Sequence, residues 1–139
     1  MRLNVPLFAL ALGLMLSAGK CADKGAPANI LDTKWMLQSI AGQAIQMPAG
    51  TEMPWLKVGA DKSLSGFGGC NNLMGQVALD GANIGFPGVA STKKYCEATQ
   101  KTEDAFMGVL RETKNFKLQD GLLKLMNGDK ELASFTKGN

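Results

Sequence analysis

The chain has 139 residues and a formal net charge of +3, with 45% apolar and 19% charged residues. That balance excludes a disordered or fibrous chain and leaves, after an N-terminal targeting segment, the length of one globular domain. The absence of histidine removes the usual general base, the usual activator of a nucleophile and the commonest metal ligand.

The N-terminus predicts export. Arg2 precedes an apolar run from Val5 to Leu16, and Ser17, Ala18 and Gly19 follow it, the layout of a signal peptide over residues 1–19. The run is about twelve residues, against the roughly twenty that a membrane-spanning helix needs, so no transmembrane helix is expected after signal removal. Lys20 stands where a lipoprotein signal wants a small residue before its cysteine. Ordinary cleavage is therefore favoured over lipid attachment at Cys21, and the expected location is the periplasm, or the outer membrane if Cys21 is acylated. Losing Arg2 with the signal lowers the net charge by one. The lysines Lys93, Lys94, Lys114 and Lys117 are read as solvated loop and strand ends, so no nucleic-acid partner is expected.

Residues 20–29 are small, polar and Pro-containing and predict a flexible linker, with the domain over 30–139. Strands are predicted over Lys34–Ile40, Trp55–Val58, Leu64–Phe67, Gln76–Leu79, Asn83–Phe86 and Val89–Thr92, bounded by Gly, Pro, Asp or Asn. Ala98–Glu112 lacks Gly near its start and carries Phe106, Val109 and Leu110 at helical spacing. It predicts the one helix, with Thr99 or Thr102 as the capping hydroxyl. Phe116–Gln119, Leu122–Met126 and Glu131–Thr136 then predict a three-stranded meander, turned by Asp120-Gly121 and by Asn127-Gly128-Asp129. The doublet Leu122-Leu123 leaves the register there open by one residue. Trp35 is expected in the core and Trp55, beside Pro54, partly exposed.

Few residues offer chemistry. Glu103-Asp104 in the helix and Asp129 with Glu131 at a hairpin are read as solvated charge and not as acid–base pairs. Gly66-Phe67-Gly68-Gly69 leads into Cys70-Asn71-Asn72 and not into a helix, so it is no phosphate loop. No metal and no cofactor are expected, since Cys21, Cys70 and Cys96 lack Cys-x-x-Cys spacing. In an oxidising compartment Cys70 and Cys96 are expected to pair, closing a loop of about 27 residues and stabilising the fold by roughly 3 to 4 kcal/mol. The competing reading is a thiol activated by Lys93 and Lys94 near Cys96. A Cys21 retained without acylation is available for mixed disulfides.

Three segments in order, Leu31-x-Thr33-x-Trp35-x-Leu37-x-x-Ile40, then Leu64-Ser65-Gly66-Phe67-Gly68-Gly69-Cys70-Asn71, then Thr92-Lys93-Lys94-Tyr95-Cys96, resemble the META domain of the bacterial heat-shock protein HslJ family. The resemblance spans most of the chain after the signal. It departs at Lys94, where the family often has Met, and at Val77, where an aromatic residue often follows the Cys-Asn segment. It implies an α+β fold, a small curled, barrel-like antiparallel sheet with one helix packed against it, and an envelope location. The family is linked to heat or antibiotic stress and in some parasites to virulence, with no agreed molecular activity and no catalytic residues to carry over.

Gly66, Gly68 and Gly69 are expected to shape a bulged or tightly turned strand, and Asn71 to hold a backbone group. The sharper expectation is that Asn71, Asn72, Thr92 and Tyr95, gathered by the disulfide, line a small recognition surface. The function expected is that of a monomeric, non-enzymatic, stress-related binding or structural module engaging an unknown envelope component. The alternative is a secreted inhibitor of a lysozyme or protease.

Overall fold

The computed structural model describes residues 29–139. The expected signal peptide, Cys21 and most of the expected linker lie outside them. Eleven strands and one helix follow in chain order: β1 Lys34–Ile40, β2 Gln43–Ala44, β3 Trp55–Val58, β4 Ser63–Phe67, β5 Asn72–Gln76, β6 Ala78–Asp80, β7 Asn83–Gly85, β8 Ala90–Ser91, α1 Gln100–Glu112, β9 Asn115–Gln119, β10 Leu122–Asn127 and β11 Lys130–Lys137. They form one antiparallel sheet in the order β6-β7-β9-β10-β11-β1-β3-β4-β5-β8, with β2 added to β1.

The curl of this sheet follows from its connectivity. β5 lies next to one end of the order and β6 is the other end, yet only Val77 separates them in the chain. Val77 therefore draws the two sides of the sheet towards each other, and the sheet rolls into an α+β half-barrel with β8 left as a free edge. This corrects the expectation of one strand over Gln76–Leu79. Val77 is a corner whose N–H donates to the Lys62 carbonyl at 2.8 Å and whose side chain is buried. Sequence reading also placed no strand over residues 72–75, most of β5, and none over the two-residue β2.

Two bulges bend the middle of the sheet. Between β1 and β11 the pairing steps from Leu37 with Phe135 to Ser39 with Ser134, leaving Gln38 as the extra residue. Between β10 and β11 it steps from Leu125 with Ala133 to Met126 with Glu131, leaving Leu132 extra. Each bulge resets the two-residue alternation, so Leu125 and Met126 are both buried, as are Leu132 and Ala133. At the doublet itself the register is plain: Leu123 is buried opposite Phe135, while Leu122 lies at the rim. Asp120 and Gly121 both take positive φ, 54° and 76°, as does Gly128 at 62°, which makes the predicted hairpin turns.

The core lies inside the curl. The indole of Trp35, fully buried, donates from Nε1 to the Ile30 carbonyl at 3.1 Å, so the largest core side chain leaves no unsatisfied donor. Trp55 is half-buried. Its Nε1 donates to Glu52 at 2.8 Å and Lys34 Nζ sits 4.6 Å from its ring centre. Helix α1 packs on β1 and β11 and buries Phe106, Val109 and Leu110, with the Phe106 and Phe135 rings 5.9 Å apart. Thr99 occupies the N-cap, but its hydroxyl makes no capping bond. The first turn is instead fastened by the N–H groups of Thr99 and Gln100 on the Cys96 carbonyl, at 3.1 and 2.8 Å.

Gly66 marks where β4 approaches β3 most closely, since a Cβ there would lie 2.7 Å from the Trp55 carbonyl oxygen. Gly66→Ala is expected to destabilise the domain by about 1–3 kcal/mol, the range for forced overpacking. Gly85→Ala, with nothing within 4 Å of the added atom, is expected to stay within about 0.5 kcal/mol. Urea unfolding midpoints measure both, and equal midpoints would contradict the close approach.

Candidate functional site

The turn after β4 carries the glycine-rich segment. Gly69 takes a φ of +119°, a conformation that side chains rarely adopt, and the Gly68 N–H donates to the Asn71 carbonyl at 2.9 Å. This tight turn points the next two backbone N–H groups inward, towards helix α1. There they meet Glu103.

Glu103 is only 4% exposed. Its Oε2 accepts from the N–H of Cys70 at 2.9 Å and of Asn71 at 2.6 Å, and its Oε1 accepts from Asn71 Nδ2 at 2.6 Å. This overturns the expectation that Glu103 is a solvated helix charge. A buried carboxylate without partners is costly, and three N–H donors replace its water. Gly68 exists for the same contact, because a Cβ there would lie 2.6 Å from Glu103 Cγ and 2.7 Å from Oε2. The signal was present in the spacing: Glu103 lies three residues before Phe106 and seven before Leu110, on the stripe that faces the core. Asp104, by contrast, is exposed as expected and accepts from Gln100 Nε2 at 2.9 Å.

Asn71 joins Glu103 to a third segment. Its Oδ1 accepts from the Thr92 hydroxyl at 2.8 Å and the Lys94 N–H at 2.7 Å, and its Nδ2 also donates to the Lys94 carbonyl at 2.9 Å. The Thr92 hydroxyl oxygen accepts in turn from the Asn72 N–H at 3.1 Å. Every polar atom of the Asn71 side chain is thus bonded, and the chain from Thr92 to Lys94 is held on both sides. The Cys70–Cys96 disulfide, with Cα atoms 5.7 Å apart, closes the same loop, so neither cysteine is the activated free thiol of the competing reading.

Of the residues expected to form a recognition surface, Asn71, Asn72 and Thr92 share one hydrogen-bonded network. Asn71 is buried within it, while Asn72 and Thr92 reach solvent. Tyr95, beside the disulfide, is 77% exposed. A groove of about 600 Å³ runs between the Ser91–Tyr95 segment and the helix face carrying Gln100, Asp104, Met107 and Arg111. Among the described residues no group of three or more cysteine, aspartate and glutamate side chains is placed to hold a metal ion. No helix among them is long and apolar enough to cross a membrane. The two departures from the family pattern are absorbed without strain: Lys94 is held through its backbone with its side chain outward, and Val77 fills the corner.

Glu103→Gln replaces one acceptor oxygen by an NH2 facing N–H donors and is expected to cost about 1–3 kcal/mol, the penalty of an unsatisfied buried polar group. Gly68→Ala should cost a similar amount in the parent chain and much less in a Glu103→Ala background, with a coupling of about 0.5–3 kcal/mol. Denaturant melts of the four proteins give that coupling, and additivity would refute the contact. Replacing both cysteines by serine is expected to cost roughly 3 to 4 kcal/mol, read in the same melts.

Comparison with known proteins agrees with this fold. No curated protein matches the chain. Two structures solved by NMR share its fold. One, from Burkholderia xenovorans, is 20% identical with a TM-score of 0.65, covering 100% of this chain and 99% of that one. The other is 19% identical with a TM-score of 0.61, covering 80% and 94%. The family model of the META domain matches residues 28–139, the span that holds the sheet, the helix and the disulfide, and the chain belongs to the META domain family.

Proposed function

We propose that the protein is an exported, non-enzymatic binding module of the cell envelope, and that it engages its partner through the groove between Ser91–Tyr95 and helix α1. The observation that carries this reading is the complete use of Asn71: its side chain holds the Thr92 hydroxyl and the Lys94 backbone from behind. The side chains of Lys93 and Tyr95 then stand exposed on a braced wall. A rigid wall loses little entropy on association. A non-enzymatic role is supported by the lack of histidine and by the engagement of Glu103, the one buried carboxylate among the described residues, in structural hydrogen bonds. Export is supported by the signal-like N-terminus and by a disulfide, which persists in oxidising compartments.

Two measurements test the reading. The intact mass of protein from the envelope fraction should correspond to a chain lacking residues 1–19, while an added diacylglycerol on Cys21 would make it a tethered lipoprotein, and a full-length cytoplasmic chain would refute export. A photo-crosslinking amino acid at position 95 should give a reproducible adduct with an envelope component, and the same amino acid at position 117, on exposed β9, should not. Absence of any adduct at position 95 would count against binding through this wall.

The exposed Tyr95, anchored next to a disulfide, also suits a second reading, a loop presented to the cleft of a lysozyme or protease. Inhibition of such an enzyme that is lost in Tyr95→Ala would establish it, and full enzyme activity at excess protein would remove it.

A further inference from the structure

The groove beside the disulfide has two properties that together define what fits it. The first is a free strand edge. β8 ends the sheet order, paired only to β5, and the chain continues beyond it without regular structure, Thr92 still bonded through its N–H to the Asn72 carbonyl at 3.1 Å. Thr92 and Lys94 turn their backbone groups towards β5 and Asn71, whereas the N–H and C=O of Lys93 have no hydrogen-bond partner among the described residues. An edge of this kind pairs readily with another extended chain. The second property is charge. Lys93, Lys94 and Arg111 all line the groove, and none takes part in either ion pair of the described residues, Lys34–Glu52 and Lys124–Glu131. Facing them are Asp104 and Glu103, and the oxygens of Glu103 are already occupied by three N–H donors.

The dimensions agree. From Gln100 to Arg111 the helix wall runs about 16 Å at 1.5 Å per residue, which is the length of about five residues of extended chain. Met107 lies midway along this wall and is partly buried, offering one apolar contact between the polar ends.

We infer that this groove binds an extended acidic peptide segment of a partner protein, laid along the free edge at Lys93 and held by Lys93, Lys94 and Arg111. The inference rests on the binding-module reading and adds the chemistry of the partner. Backbone pairing at Lys93 aligns the segment along the edge, and its carboxylates meet cations that have no ion-pair partner among the described residues. Arg111 contributes a planar fork suited to a carboxylate.

The test uses the mature protein and a fluorescein-labelled hexapeptide of alternating glutamate and valine, followed by fluorescence anisotropy at low salt. The peptide should bind, and the same peptide with lysine for glutamate should bind at least about tenfold more weakly, as like charges repel. Lys93→Glu and Arg111→Glu should each weaken the acidic peptide about tenfold, while Lys117→Glu, on exposed β9 away from the groove, should change it less than about twofold. Thermal melts of the three variants check that each is folded. Equal binding of the two peptides, equal loss in Lys117→Glu, or displacement by free glutamate at matched carboxylate concentration would overturn the inference, the last by showing a small-anion site. If neither peptide binds while position 95 still crosslinks to an envelope component, the acidic-peptide inference fails and the binding-module reading stands. Failure of both experiments removes both.

Discussion

The interaction on which this domain's organisation depends is the buried carboxylate of Glu103 against the turn after β4. It is the one place where helix α1 is tied by hydrogen bonds to the glycine-rich segment, and through Asn71 to the segment that precedes the helix in the chain. Bonds from N–H donors to a charged acceptor are roughly twice as strong as neutral ones, and three converge here. An apolar residue at 103 would pack as well against Phe106's side of the helix but would leave the N–H groups of Cys70 and Asn71 without acceptors inside the protein. The carboxylate thus sets the position of the helix along its axis, which burial of Phe106, Val109 and Leu110 alone, being non-directional, does not.

That constraint explains the composition of the Ser65–Asn71 segment residue by residue. Gly66 is small because β3 backbone lies against it, Gly68 because Glu103 does, and Gly69 because the turn needs a positive φ. Three glycines within four residues therefore answer three separate demands, and the disulfide of Cys70 follows from the same turn, which brings its side chain beside the end of the Thr92–Cys96 segment. Asn71 is suited to its position because it alone presents two donors and an acceptor with two lone pairs in one short side chain. Aspartate would lose both donors and set a second carboxylate against Glu103.

What could be read from the sequence was what repeats. The alternation of β1 and β3, the hairpin turns at Asp120-Gly121 and Asn127-Gly128, the helix and the cysteine pair were all legible, since each rests on local periodicity, turn chemistry or compartment. What escaped was set by contacts between distant segments. β5 was not marked as a strand because its Asn72 and Gly75 answer to what β4 and Val89 place beside them and not to a local alternation. Val77 reads as mid-strand and is a corner because the sheet has to close there. Glu103 was taken for solvated charge although its phase with Phe106 and Leu110 placed it inward. A carboxylate on the apolar stripe of a helix, in a chain that also carries a glycine-rich turn with free N–H groups, is a pattern that can be sought in other sequences.

The same network separates the parts of the site that hold from the parts that can bind. Asn71, Glu103 and the disulfide face inward with their polar atoms satisfied, so a ligand gains nothing from them directly. Lys93, Tyr95, Arg111 and the backbone of Lys93 face outward on the surface those groups support. A loop of this length left unbraced would lose roughly 1–2 kcal/mol of backbone entropy per residue on being ordered by a partner, an amount that would consume the modest return from a few exposed charge contacts, each worth about 1 kcal/mol or less. With the loop already fixed by Asn71 and by Cys96, that loss occurs during folding, and under the proposed binding role weak surface contacts would suffice for recognition. The position of the disulfide supports this division: it joins the end of the glycine turn to the residue that begins the helix's first-turn hydrogen bonds, so it braces both walls of the groove while contributing no side chain to its floor.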